Sequence, residues 1–134
     1  MIPSGNTILT TELNVVTMPS KQHRMDLDKN RIVGTCDNLE AIKQTIFKIL
    51  NTERYKYIIY SWNYGIELAD LFGQPFRYVC PEIERRVREA LLQDDRITEV
   101  DSFEFDEPKR GVVTVKFTAH TMVGDIDEEM VVNI

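Results

Sequence analysis

From residue 113 to residue 120, apolar and polar side chains alternate without a break. Val113, Val115, Phe117 and Ala119 fall on one parity, and Thr114, Lys116, Thr118 and His120 on the other. A period of two marks a strand with one buried and one wet face. Such a strand belongs in an antiparallel sheet whose apolar side is covered by another layer. The neighbouring strands are expected on either side of it. Residues 98–105 carry Val100, Phe103 and Phe105, and in residues 126–134 Ile126, Met130, Val132 and Ile134 share a face. Lys109-Arg110-Gly111 and Gly124-Asp125 supply the turns, which gives a C-terminal β-meander joined by hairpins.

Two helices are expected before these strands. Asp37 is a good N-cap with Glu40 three residues on, as in a capping box. Leu39, Ile42, Ile46, Ile49 and Leu50 then recur at spacings of three and four, so residues 38–51 should bury one face. A second helix is expected from Pro81, which suits a first turn. Its buried stripe is Ile83, Val87, Ala90 and Leu91. Glu82–Arg86, Glu84–Arg88 and Arg85–Glu89 are opposite charges at i,i+4, worth roughly 0.2–0.5 kcal/mol each on a solvated face.

Before the first helix, residues 23–28 alternate, Lys29-Asn30 makes a polar turn, and Arg31-Ile32-Val33 returns until Gly34 breaks the pattern. Residues 1–20, rich in Thr, Ser, Asn and Pro, predict an extended arm. Between the helices, residues 55–65 hold four of the five tyrosines and the only tryptophan, as a strand or an irregular buried loop. A short helix over 66–72 is expected to stop at Gly73. The fold class is α+β: one domain over residues 21–134, with the arm preceding it.

Charge narrows the function. The chain of 134 residues carries a net charge of -6. Coating a nucleic acid needs clustered Lys and Arg to neutralise phosphates, so no nucleic-acid partner is expected. Residues 1–67 are net +1 and residues 68–134 net -7, a polarity suited to a protein interface. No apolar run approaches the about 18 residues of a membrane span, and the first residues lack the pattern of an export signal. Cys36 and Cys80 are expected to be free thiols in a reducing cytosol.

Catalytic and metal signals are thin. His23 and His120 are isolated, no Cys-x-x-Cys pair is present, and neither a phosphate loop nor a nucleophile elbow occurs, so no cofactor is expected. Among the carboxylates Glu53 is the best general-acid candidate, because apolar and aromatic residues follow it. Arg54 beside it favours the charged form, which points instead to an ion pair or a helix-end cap. Arg96, in Gln93-Asp94-Asp95-Arg96, is placed to complement a helix C-terminus or to fork onto a carboxylate across an interface. The last strand is either a covered edge or a place where a partner adds a strand.

The order of motifs resembles a known family. Arg31-Ile32-Val33-Gly34, Leu39-Glu40-Ala41-Ile42-Lys43-Gln44, Ile49-Leu50-Asn51-Thr52-Glu53-Arg54-Tyr55, Tyr60-Ser61-Trp62-Asn63-Tyr64-Gly65 and Leu91-Leu92-Gln93-Asp94-Asp95-Arg96-Ile97 are similar to the XkdS-like proteins of contractile phages. These sit within the wider baseplate wedge or sheath initiator family of contractile tails and tailocins, also described as a lysozyme-like baseplate wedge superfamily. The family's Gly-Glu-Arg appears here as Thr52-Glu53-Arg54, and its Glu-Pro-Arg as Asp94-Asp95-Arg96.

The resemblance implies a compact domain with an antiparallel or mixed sheet packed against two main helices, and a non-enzymatic virion part, assembled in the host cytoplasm and set around the tail tube and hub in six copies. It implies a baseplate J-like wedge protein as partner, met by Glu53, Arg54, Asp95 and Arg96. It implies that tail sheath protein adds strands to the C-terminal strand, at Asp125, Ile126, Met130, Val132 and Ile134. A lysozyme-like glycoside hydrolase of the tail, or a host adaptor domain, are the alternatives.

Overall fold

A computed structural model describes residues 20–134; the arm expected before the domain lies, but for Ser20, outside them. Five strands and two α-helices follow one another as β1 (Gln22–Asp26), β2 (Arg31–Cys36), α1 (Asn38–Leu50), α2 (Phe76–Leu91), β3 (Ile97–Phe105), β4 (Val112–Thr121) and β5 (Asp125–Asn133). A single 3-10 turn, Ala69–Leu71, interrupts the long connection between the helices.

The alternating run is the central strand of the antiparallel sheet β3-β4-β5, as its pattern requires. Val113, Val115, Phe117 and Ala119 are buried, and β5 sends Ile126, Met130 and Val132 to the same side. Pairing of β4 with β5 runs without irregularity from Val112↔Asn133 to His120↔Asp125. Pairing with β3 is interrupted twice, between Ile97 and Glu99 and between Asp101 and Glu104. Bulges of this kind bend and twist a strand. Here Phe103 and Phe105 still pack on the core, and Phe103 stacks on Phe117 at 5.7 Å.

The helices cover this face. Ala41, Ile42, Ile46, Ile49 and Leu50 of α1 and Val79, Ile83, Val87, Ala90 and Leu91 of α2 are buried, and all but Ala41 join the sheet residues in one continuous core. Two details of α1 depart from expectation. Leu39, at its first turn, is partly exposed. Asp37 caps only the next residue, accepting from the Asn38 N–H at 2.7 Å, because Asn38 takes a left-handed conformation (φ 53°). Glu40 is thereby released from a capping box and pairs with Arg24 of the hairpin at 2.9 Å.

The second helix begins five residues before the expected Pro81, at Phe76, with Pro75 as its N-cap. Pro81 sits inside the helix, where it withholds one N–H from the carbonyl of Arg77, an exposed residue. Burying Val79 accompanies that defect.

β1 and β2 form a separate two-stranded sheet. Gly34 does not end β2: Val33 and Gly34 together oppose Arg24, a bulge that Gly34 permits at φ +68°. Most of the hairpin is exposed, and side-chain amides fasten it to α1. Gln44 accepts from the Met25 N–H at 2.9 Å and donates to the His23 carbonyl at 2.6 Å. Gln22 reaches the Ala41 carbonyl and Thr45 Oγ1, and accepts from Lys48 Nζ at 2.6 Å.

Candidate functional site

Two places collect the residues expected to meet partners: the junction over the helix ends, and the free edge of β5.

At the junction, the chain leaves α1 at Asn51 and at once makes a minimal parallel bridge, Glu53↔Ile66. Arg54 N–H donates to the Ile66 carbonyl at 3.1 Å, and Ile66 N–H donates to the Thr52 carbonyl at 3.0 Å. Glu53 turns its carboxylate onto the following connection, accepting from Leu68 N–H at 3.2 Å and from Ala69 N–H at 3.2 Å. The carboxylate therefore caps the N-terminus of the 3-10 turn. Glu53 has become a fastening for residues 66–69, the helix-end cap that its neighbour Arg54 suggested.

Arg54 lies beside it with only 11% of its side chain exposed, donating to Glu89 of α2 at 3.2 Å and standing 3.8 Å from Glu67. The charged face of α2 is consequently more than a solvated surface. All three i,i+4 pairs form, at 3.1, 3.0 and 3.2 Å for Glu82–Arg86, Glu84–Arg88 and Arg85–Glu89. Arg86 also forks onto Asp70 and donates to the Glu67 carbonyl at 2.7 Å. Asp70's hydrogen bonds from Arg86 hold its pKa below the ordinary value.

Asp95 and Arg96 occupy the turn after α2. Asp95 is exposed. Arg96 forks within the chain onto Asp94, through Nε at 2.9 Å and Nη2 at 2.6 Å, and Nη2 also donates to Thr45 Oγ1 of α1 at 3.2 Å. This fork holds the Asp94 carboxyl below its usual range. Nη1 of Arg96 has no hydrogen-bond partner among the described residues. Arg54 grips the face of α2 and Glu53 the connection before it, while Arg96 grips α1; no hydrogen bond or ion pair joins the two pairs among the described residues.

Along β5 the even-numbered side chains face inward: Ile126, Met130 and Val132 are buried and Ile134 packs partly against the core. Glu128 follows the same parity and meets Lys43 of α1 at 3.6 Å; burial raises its pKa and Lys43 opposes that rise. Asp125, Asp127 and Glu129 face outward. Ile134 N–H donates to the Gly111 carbonyl at 2.8 Å, and Thr121 N–H donates to the Gly124 carbonyl at 3.0 Å. With the uninterrupted register, these fix which residues are bonded to β4. The even-numbered residues of β5 spend their N–H and C=O on β4, and the odd-numbered ones, Asp125 to Asn133, turn theirs to the other side. No strand pairs with that side among the described residues.

Two features escaped sequence reasoning. His120 bridges the outer face of the sheet, its Nε2 2.9 Å from Asp101 of β3 and its Nδ1 2.8 Å from Asp125 of β5. The signal was present in the alternation, which put His120 on the wet parity, but the cross-strand register needed to pair it was not. Residues 55–62 form a loop, and it is not buried: Tyr55, Ile58, Ile59 and Trp62 are all exposed. Both cysteines are free, as expected. Among the described residues no helix is long and apolar enough to cross a membrane.

Comparison with known proteins gives the family. A protein of Bacillus subtilis (strain 168), the phage-like element PBSX protein XkdS, is 38% identical over 117 residues, covering 84% of this chain and 82% of that protein. The family described as contractile injection system sheath initiator matches residues 14–124, which take in both helices, β3, β4 and the turn into β5. The chain therefore belongs to the contractile injection system sheath initiator family, and is a structural component of a contractile tail.

Proposed function

We propose that this chain joins the wedge proteins of a tail baseplate to the first sheath ring, and starts sheath assembly by accepting a sheath strand on β5. The observation that carries this reading is the outward edge of β5, where alternate N–H and C=O groups from Asp125 to Asn133 point away from β4. Strand addition draws its affinity from such main-chain groups and tolerates varied side chains. Ile126, Met130, Val132 and Ile134 serve it indirectly, by anchoring the strand so that the edge is held ready. Asp125, Asp127 and Glu129 beside the edge discourage pairing between two copies and favour a basic incoming arm.

The wedge partner, of the baseplate J type, meets the junction. Asp95 and Nη1 of Arg96 make the contact, while Glu53 and Arg54 fasten the bridge at residues 53–66 to the following connection and to α2. The role is structural rather than catalytic, since the Glu53 carboxylate is spent on the Leu68 and Ala69 N–H groups. Six copies around the tube and hub follow from tail symmetry, in a virion part assembled in the host cytoplasm.

Val131→Pro tests the strand acceptor. Val131 is exposed and its N–H points off the sheet, so proline removes one edge donor and leaves the β4 ladder whole. The variant is expected to fold and enter baseplates that no longer polymerise sheath. Normal sheath assembly on those baseplates would overturn the proposal.

A further inference from the structure

The loop over residues 55–62 is the least covered apolar stretch of the described chain. Ile58 is fully exposed, Ile59 is 85% exposed and Trp62 77%. Large apolar groups gathered in one exposed place mark an interaction site. The loop is also built to hold its shape. Tyr60 stacks on Tyr64 at 4.5 Å, and Tyr57 meets Tyr60 edge-on at 6.2 Å. Two turns close in succession, Tyr60 N–H donating to the Tyr57 carbonyl at 3.3 Å and Tyr64 N–H to the Ser61 carbonyl at 3.1 Å. Below them, Asn63 donates to Gln93 at 3.3 Å and Gly65 is pressed on the Thr52 backbone. The inner tyrosines thus fix a convex tip, with Ile58, Ile59 and Trp62 directed outward.

Convexity and charge define what can cover this tip. A projecting pair of isoleucines needs a concave apolar surface. From Tyr55 to Ile66 there is no acid and one base, Lys56, in a chain of net charge -6. One lysine cannot anchor a phosphate backbone or an anionic bilayer against that field. It suits a protein groove with an acidic rim. The loop base is also tied at Asn63 to Gln93, two residues before Asp95, so it adjoins the proposed wedge contact.

We propose that residues 55–62 are a knob that seats in an apolar, acid-rimmed groove of the wedge partner, and that this knob supplies most of the affinity of that contact. The proposal rests on the wedge reading given above.

The test measures binding of the purified wedge protein to the full chain, to the double variant Ile58→Ser/Ile59→Ser, and to Lys56→Glu. All three positions are surface sites, and unchanged thermal midpoints would show that the fold is kept. The double variant is expected to bind at least about tenfold more weakly. Lys56→Glu should bind several-fold more weakly, and that loss should shrink at high salt. Failure of the parent chain to bind wedge protein would overturn the wedge reading and the knob together. Full binding by the double variant, with the parent binding, would overturn the knob alone. Sedimentation and flotation with phosphatidylcholine vesicles complete the test: self-association or vesicle binding that the double variant loses, with wedge binding unchanged, would reassign the knob and overturn this proposal.

Discussion

Gly65 is packed so closely on Thr52 that a Cβ there would stand 2.5 Å from the Thr52 carbonyl oxygen and 3.2 Å from the Arg54 nitrogen. With φ at +92°, the position also lies where L side chains are strained. The backbone of the Thr52-Glu53-Arg54 motif and that of the Tyr64-Gly65 motif are therefore in contact. Gly65→Ala is expected to cost at least about 1–3 kcal/mol from the backbone conformation alone, with the clash added. Urea denaturation measures this, and a loss below about 0.5 kcal/mol would mean that the bridge gives way freely.

Arg86 ties α2 to the connection that precedes it, through Asp70 and the Glu67 carbonyl. Its side chain is 11% exposed, whereas that of Asp70 is 62% exposed. Removing the arginine leaves a carboxylate that water can reach, which limits the loss, so Arg86→Ala should destabilise by about 0.5–1.5 kcal/mol. Arg86→Lys should recover only part of this, because one ammonium cannot reproduce the fork. Full recovery in thermal melts by lysine would count against the forked geometry.

His120 holds three strands together from outside. Hydrogen bonds to Asp125 and Asp101 raise its pKa above the ordinary 6.5, and Asp101 is lowered in return. A raised histidine contributes stability that is complete below the unfolded value and is lost as pH rises through the folded one. The thermal midpoint should therefore fall between pH 6.5 and the raised pKa, and His120→Gln should flatten that fall. An identical pH profile in the variant would show that the bridge does not stabilise the sheet.

Asp94 gives the opposite limb. Its pKa is depressed by Arg96, so the pair's contribution stands above the ordinary carboxylate value of 3.8 and is lost as pH falls through the depressed one. Arg96→Ala should destabilise by about 1–3 kcal/mol at neutral pH, since the Asp94 side chain is only 12% exposed. It should also weaken wedge binding. Wedge co-purification at parental strength would remove Arg96 from the contact while leaving its structural role intact.

Periodicity carried most of this fold into view. The alternation through Ala119 and the stripes ending at Leu50 and Leu91 fixed the sheet and its helical cover, because burial repeats with the geometry of each element. Pro81 misled, since a proline that suits a first turn also stands later in this helix, opposite the exposed residue Arg77. Residues 55–65 misled for another reason. Aromatic composition normally signals burial, and here it builds an exposed tip on a small stacked base. For the candidate site, the charges of Glu53, Arg54, Asp95 and Arg96 were legible, but their partners were not. Leu68, Glu89 and Thr45 are distant in sequence and meet them only once the chain has folded.

The parity of β5 has a consequence for divergence. Its even positions are turned to the core side, while its odd positions face outward, and of these Asp125 is tied to His120. Substitutions at Asp127, Glu129 or Val131 can accumulate without disturbing the packing that Ile126, Met130 and Val132 maintain. A lineage can thus keep its architecture and alter its docking preference one alternate residue at a time.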